Sequence, residues 1–153
     1  MLFRSGLSST VDERGVVLTV PEDTLLFESG ATDLLPSGKA LINRVAQILK
    51  GTTNDLVVEG HTDSAGGESN WELSSRRAAT VVQLLVADGI SPSRLVAEGL
   101  ADTRPVADNT TPEGRRRNRR VELVVKVDFL AGPASQPKAA PDPITIAPKA
   151  AKG

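Results

Sequence analysis

A short apolar run at residues 56–58 lies between two longer stretches whose apolar residues recur with the period of an α-helix. The first stretch has Pro36 near its start and Gly51 at its end, residues typical of a helix beginning and a helix end. The second starts at Ser69, which together with Glu72 matches a capping box. A buried strand flanked by two helices, each with one apolar face, predicts a layered α/β fold.

Four further segments have the composition or the alternation of extended chain. Residues 16–20 and 95–98 are predicted strands, and residues 25–27 a short extended piece. Residues 119–127 alternate between apolar and polar with a period of two, which predicts a last strand, and Pro112 can begin a brief helix before it. The order β-α-β-α-β-β predicts an α/β two-layer sandwich, with two helices packed on one face of a mixed four-stranded sheet.

The composition changes at Ala131. Residues 131–153 hold five of the ten prolines and a single carboxylate side chain, Asp142. Such a segment buries too little apolar surface to offset the entropy of ordering it, so we predict a disordered tail. The predicted domain then spans residues 16–130, and residues 1–15 form a linker or N-terminal extension.

Composition also excludes several classes of function. The chain has no Cys and one His, which excludes a disulfide scaffold, a thiolate metal cage and a multi-His metal site. No apolar run reaches the roughly 18 residues that a membrane span needs, and no secretory signal is apparent, so the residues alone predict a cytoplasmic protein. Residues 115–120 are rich in Arg, but with a mildly acidic body and no aromatic residue nearby they do not predict nucleic-acid binding.

One basic residue breaks the apolar pattern of the second helix. At about 100° per residue, Arg77 falls on the core-facing stripe together with Asn70 and Ser74. A buried guanidinium needs an anionic partner, and Asp63 lies in the loop that leads into this helix. Two interpretations remain open: an internal Asp63–Arg77 salt bridge, or a shared pocket in which Asp63 binds an ammonium and Arg77 a carboxylate of one zwitterion.

Two other features bear on the site. Arg119 shares its parity with the apolar residues of the last predicted strand, so we expect it to face the same pocket. Glu59, His61 and Asp63 alternate at the end of a strand, which leaves a metal-dependent hydrolase as an alternative. No second His completes a zinc site, and no His base serves Ser74 as a nucleophile.

Several motifs, spaced in a fixed order, carry a resemblance to a known family. They are Gly60-His61-Thr62-Asp63, Asn70-Trp71-Glu72-Leu73-Ser74-Ser75-Arg76-Arg77-Ala78, Arg94-Leu95, Gly114-Arg115 and Asn118-Arg119-Arg120-Val121-Glu122. Over roughly residues 16–127 the sequence resembles the OmpA-like peptidoglycan-binding domain. The Asn-Trp-Glu-Leu-Ser motif and the Phe-Glu-Ser-Gly loop before it are most similar to the periplasmic C-terminal domain of MotB-type flagellar stator proteins.

The resemblance implies a non-catalytic protein without cofactor or metal, which binds the diaminopimelate of the peptidoglycan stem peptide. By position, Asp63 matches the residue that binds the ammonium group and Arg77 the residue that binds the carboxylate. The remaining site residues implied by the family are Asn70, Thr62 and Leu73 as pocket lining, Arg119 at the pocket edge, and Glu28, which stands where many members have Asp.

The resemblance also changes the expected location and partners. It implies a periplasmic domain of an inner-membrane protein, whose membrane helix would precede this sequence. The family's domains commonly form homodimers, and a stator protein pairs with a membrane channel subunit. The alternative within the same fold is a tether between the outer membrane and the wall, of the OmpA or lipoprotein type.

Overall fold

The fold rests on a five-stranded mixed sheet, with the strands in the order β1-β2-β5-β3-β4. The computed structural model describes residues 7–25 and 32–127. The strands are β1 (Ser8–Asp12), β2 (Gly15–Pro21), β3 (Leu56–His61), β4 (Leu95–Gly99) and β5 (Arg120–Val125). The pair β3–β4 is parallel, and the β1–β2, β2–β5 and β5–β3 pairs are antiparallel.

Two long helices pack on the sheet, and two short ones follow strands or loops. The helices are α1 (Glu22–Leu25), α2 (Pro36–Lys50), α3 (Ser69–Ala87) and α4 (Pro112–Asn118), with a 3₁₀ turn at Pro92–Arg94. An aliphatic core joins α2 and α3 to β2, β3 and β5, with Ile42, Val58 and Leu123 among its fully buried members. Among the described residues, no helix combines the length and the apolar character that crossing a membrane requires.

The mixed α/β architecture confirms the predicted fold, but the sheet has five strands rather than four. The additional strand is β1, which pairs with β2 and lies within the predicted N-terminal extension. The sheet therefore begins before residue 16. Its sequence, Ser-Ser-Thr-Val-Asp, lacks an alternating apolar pattern because an edge strand leaves most of its side chains to solvent.

Two local predictions are wrong. Leu25 ends the short helix α1 instead of starting an extended piece, and residues 26–31 lie outside the described residues. Ser69 is the first residue of α3 rather than its cap, and its hydroxyl donates to the carbonyl oxygen of Gly66. The helix at Pro112 is confirmed, since the Thr111 hydroxyl accepts a hydrogen bond from the Gly114 amide.

The alternation of β5 is confirmed, but its polar side is buried too. Val121 and Leu123 face the helices, while Arg120 and Glu122 on the opposite face are only 4% and 5% exposed. The reason is that other segments cover that face: Arg120 donates to the Arg104 carbonyl oxygen, and Arg14 from the β1–β2 turn donates to Glu122.

Candidate functional site

One edge of the sheet collects four charged side chains from different parts of the chain. Because β5 is antiparallel to both β2 and β3, the carboxyl ends of β2 and β3 lie beside the amino end of β5. Glu22 follows β2, Asp63 lies two residues after β3, and Arg119 precedes β5. Arg77 comes from α3, which packs over β3 and β4.

These four side chains form a chain of ion pairs with alternating charge, which we call the four-residue network. Arg119 Nη1 lies 2.6 Å from Asp63 Oδ2, and Arg119 Nε lies 3.2 Å from Glu22 Oε1. The other carboxylate oxygen of Glu22 contacts Nη1 of Arg77. The two carboxylates and two guanidiniums have a net charge of zero.

Burial is uneven across the network. Arg77 is 3% and Glu22 6% exposed, whereas the Arg119 side chain is 28% exposed. Burial raises the pKa of Glu22 despite the attraction of two arginines. Burial likewise lowers the pKa of Arg77, although Glu22 attracts it. Desolvation therefore disfavours the charged form of both Glu22 and Arg77. A buried ion pair of this kind contributes little to stability. Groups with perturbed pKa values are, however, common at functional sites.

The inward orientation of Arg77 was predicted correctly, but its carboxylate partner was not. Asn70, Ser74 and Arg77 are all buried on the same face of α3, as the helical spacing indicated. Glu22, rather than Asp63, provides the carboxylate that contacts Arg77. The predicted direct Asp63–Arg77 salt bridge is therefore wrong, and Asp63 is connected to Arg77 through Arg119 and Glu22. Glu22 is absent from the predicted site residues, because only strand pairing brings the end of β2 to this edge.

Hydrogen bonds from neighbouring residues hold Asp63 in place. Its Oδ1 accepts from the Ala65 amide at 3.0 Å, and its carbonyl oxygen accepts from the Asn70 side-chain amide at 3.1 Å and from the Thr62 hydroxyl at 2.8 Å. Gly66 has a φ of +100°, a left-handed conformation suited to glycine, in which a Cβ would lie 2.8 Å from Asn70 Oδ1. Thr62 and Asn70 therefore serve as supports for the loop that presents Asp63.

Arg119 is positioned by its neighbour Asn118, which sequence analysis did not single out. Asn118 is fully buried, and its Oδ1 accepts from the backbone amides of Val106 and Ala107 at 2.7 and 3.0 Å. Its side-chain amide donates to the Ala107 carbonyl and to Asn109 Oδ1. Four hydrogen bonds thus fix the end of α4 from which Arg119 projects.

The remaining predicted site residues are Leu73 and Glu28, and the basic run at residues 115–120 contributes only Arg119 to the four-residue network. Leu73 is partly buried on α3, and Glu28 lies outside the described residues. Arg116 and Arg117 of the basic run are exposed on α4, and Arg116 Nε approaches Asp23 at 4.0 Å. Arg116 and Arg117 thus form a solvated basic surface next to Arg119, whereas Arg120 of the same run is buried.

A second charged cluster lies on the face of the sheet away from the helices. Glu59 and His61 come together as their alternation indicated, but their third neighbour is Glu122 and not Asp63. Arg14 Nη1 donates to one oxygen of Glu59 and one of Glu122, at 2.9 Å each. The pKa of Glu59 is lowered, since burial, which raises it, is outweighed by His61 and Arg14. A guanidinium thus already balances the oxygens that a metal would need, and Asp63 is elsewhere.

The sequence matches a known protein family and several curated relatives. The family model described as OmpA family matches residues 26–119. The peptidoglycan-binding protein ArfA of Mycobacterium tuberculosis is 38% identical over 116 residues, which is 74% of this chain and 36% of ArfA. The chain spans about half the length of the first three curated relatives that it matches, at 53%, 56% and 52%.

The solved structures similar to this one include a MotB periplasmic domain and a cell wall anchor. The periplasmic domain of Helicobacter pylori MotB superposes with a TM-score of 0.74 at 26% identity, covering 80% of this chain and 83% of the other. The cell wall anchor of the T6SS from Pseudomonas aeruginosa superposes with a TM-score of 0.73 at 35% identity, covering 80% and 88%.

Proposed function

This chain belongs to the OmpA family, and on that premise we propose that it is a non-catalytic module that binds peptidoglycan. The observation that carries the proposal is the four-residue network, which offers two carboxylates and two guanidiniums at one edge of the sheet. The proposal is supported by ArfA, which is named for peptidoglycan binding, and by the wall-anchor structure.

We propose that the ligand is the diaminopimelate of the stem peptide, whose free end carries an ammonium and a carboxylate on one carbon. The Arg119–Asp63 pair is the accessible part of the network, since Arg119 is 28% exposed. A zwitterion can insert there without leaving any charge of the network unpaired. Its ammonium replaces Arg119 on Asp63, and its carboxylate is received by the guanidiniums of Arg119 and Arg77.

Glu22 positions the two guanidiniums in this proposal. It contacts Arg77 through one oxygen and Arg119 through the other, so it keeps two like charges close together. Without that carboxylate the two guanidiniums would repel each other, and a single ligand carboxylate could not engage both. Glu22 is thus a support for the site rather than a direct ligand contact.

We further propose a wall-anchoring role in the periplasm, as the periplasmic domain of a membrane-attached protein. Its similarity to MotB supports a flagellar stator, in which the whole protein would form a homodimer and pair with a membrane channel subunit. The T6SS anchor and the lipoprotein YiaD of Escherichia coli support a tether instead. The sequence upstream of Met1 in the gene discriminates between them: a membrane helix selects the stator and a lipoprotein cysteine selects the tether.

The proposal is tested by sedimentation with purified diaminopimelate-containing peptidoglycan. Asp63→Ala and Arg77→Ala should each abolish co-sedimentation while the circular dichroism spectrum remains that of the folded protein. The matched controls are Arg76→Ala, the adjacent exposed arginine that pairs with Glu72, and Asp55→Ala, an exposed aspartate at the opposite end of β3. Both controls should co-sediment like the wild type.

If either site variant co-sediments like the wild type, the assignment of the zwitterion site is wrong. If both lose their fold, the network has a structural role instead. The metal-dependent hydrolase makes a separate prediction, namely release of soluble muropeptides that stops when a chelator is added. We expect no such release.

A further inference from the structure

An apolar groove of about 480 Å³ lies beside α2, and none of the residues that line it belongs to the four-residue network. It is lined mainly by aliphatic side chains of β2, α2 and β5, among them Val16, Leu18, Leu41, Val45, Ile48 and Val125. Ile48 is 71% exposed, the highest value among the exposed large hydrophobic residues of the described part of the chain. The groove is therefore a concave apolar surface in contact with water.

The groove follows from the width of the sheet. A helix about 10 Å across covers about two strands that are ~4.8 Å apart, so two helices cover four strands. The fifth strand, β1, extends the sheet beyond α2, and Ser9 of β1 lines the groove. The space between β1 and α2 is thus left for another segment to fill.

The chain leaves the described fold at the rim of this groove. Val125, the last residue of β5, lines it, as does Thr52. The Lys126 amide donates to the Asp55 carbonyl oxygen at 2.8 Å, and the Asn54 side chain donates to the Lys126 carbonyl oxygen at 3.0 Å. These two bonds hold the chain beside the groove just before residue 128.

The next residues are Asp128, Phe129 and Leu130. Phe129 follows Val125 by four residues, which an extended chain covers in about 13 Å. After Leu130 the next large aliphatic residue is Ile144, so Phe129 and Leu130 are the first large apolar side chains that follow the described part of the chain.

Charge complementarity favours residues 128–130 over the N-terminal residues as the segment that occupies the groove. The N-terminal residues Leu2 and Phe3 precede Leu7, which also lines the groove, but they are followed by Arg4. The groove's own charged residue is Arg44, which is exposed at its rim. Asp128 complements Arg44, whereas Arg4 would be repelled by it.

We propose that Phe129 and Leu130 dock into the groove between β1 and α2, with Asp128 next to Arg44. The docked segment closes the core on the side of β1. It also sets the end of the folded domain at residue 130, independently of what the four-residue network binds.

The absence of cysteine from the 153 residues allows a direct test in this chain. The pair Ile48→Cys with Leu130→Cys should form an intrachain disulfide at least ten times faster than Val96→Cys with Leu130→Cys. Val96 is a matched control, because it is 50% exposed on β4 at the opposite edge of the sheet. Equal rates would overturn the proposal, as would faster closure of the pair Ile48→Cys with Leu2→Cys.

Thermal unfolding provides a second readout that does not depend on engineered cysteines. Phe129→Ser should lower the unfolding midpoint by about 5 °C, the shift expected when one buried apolar side chain is lost. In the Phe129→Ser background, Ile48→Ser should cause no further decrease, because its partner is already absent. An unchanged midpoint for Phe129→Ser, or additive decreases in the double variant, would contradict docking.

Discussion

Replacing Glu22 by Gln tests whether the buried pair with Arg77 is held together by charge. The substitution keeps the shape of the side chain and removes one negative charge from the four-residue network. Its net charge then changes from zero to +1, with Arg77 only 3% exposed. Arg119 keeps its contact with Asp63, so the change acts mainly on Arg77.

The expected cost follows from the burial of both partners. Removing one member of a buried ion pair typically lowers the free energy of unfolding by about 3–5 kcal/mol. We expect the lower end, about 3 kcal/mol, because the partly exposed Arg119 can move its charge toward water. The double variant Glu22→Gln, Arg77→Met should recover most of the lost stability. It removes the buried guanidinium of Arg77, which no longer has the Glu22 carboxylate beside it in the single variant.

Urea unfolding measures these differences, with Glu72→Gln as the control. Glu72 and Arg76 form a pair at 2.7 Å, but both side chains are more than half exposed. Breaking an exposed helical pair costs about 0.3–0.5 kcal/mol. If Glu22→Gln costs no more than Glu72→Gln, or if the double variant is less stable than Glu22→Gln alone, the reasoning from burial is refuted.

Three further predictions concern other parts of the domain. The pKa of Glu59 is lower in the folded protein than its ordinary value of 4.5, so the ionised carboxylate stabilises the fold at pH values above 4.5. This contribution is lost as the pH falls through the lowered pKa. Glu59→Gln should therefore flatten the acid side of a stability–pH curve, and an unchanged slope would contradict this. Gly60→Ala should lower the free energy of unfolding by about 1–3 kcal/mol, because the added Cβ collides with the Ser74 carbonyl oxygen, and a neutral result in urea unfolding would disprove the close packing. Removing residues 131–153 should leave co-sedimentation with peptidoglycan unchanged, and weaker binding would assign the tail a role.

Periodicity predicted the parts of the structure that depend on local sequence. The buried face of α3, including Arg77, followed from a spacing of 100° per residue, and the alternation of β5 followed from a period of two. The mixed architecture followed from the order of these elements. These features need no knowledge of which strands are neighbours.

The features that sequence analysis missed depend on long-range pairing. Glu22 comes near Asp63 and Arg119 only because β2, β5 and β3 are adjacent, and its position after Pro21 gives no local sign of this. Likewise, the burial of Glu122 requires Arg14 from a distant turn. The partner of a buried charge is set by topology, which the local pattern of a single sequence does not reveal.

The central proposal is that the site recognises both charges of one zwitterion, and calorimetric titration with a stem tripeptide ending in diaminopimelate tests it most directly. The account predicts binding to the unmodified tripeptide and a loss of at least tenfold when either the free amine is acetylated or the adjacent carboxylate is amidated. Asp63→Asn should remove the penalty for acetylation, since the ammonium then has no carboxylate to contact. Equal affinity of the wild type for the unmodified and the modified peptides would contradict the proposal.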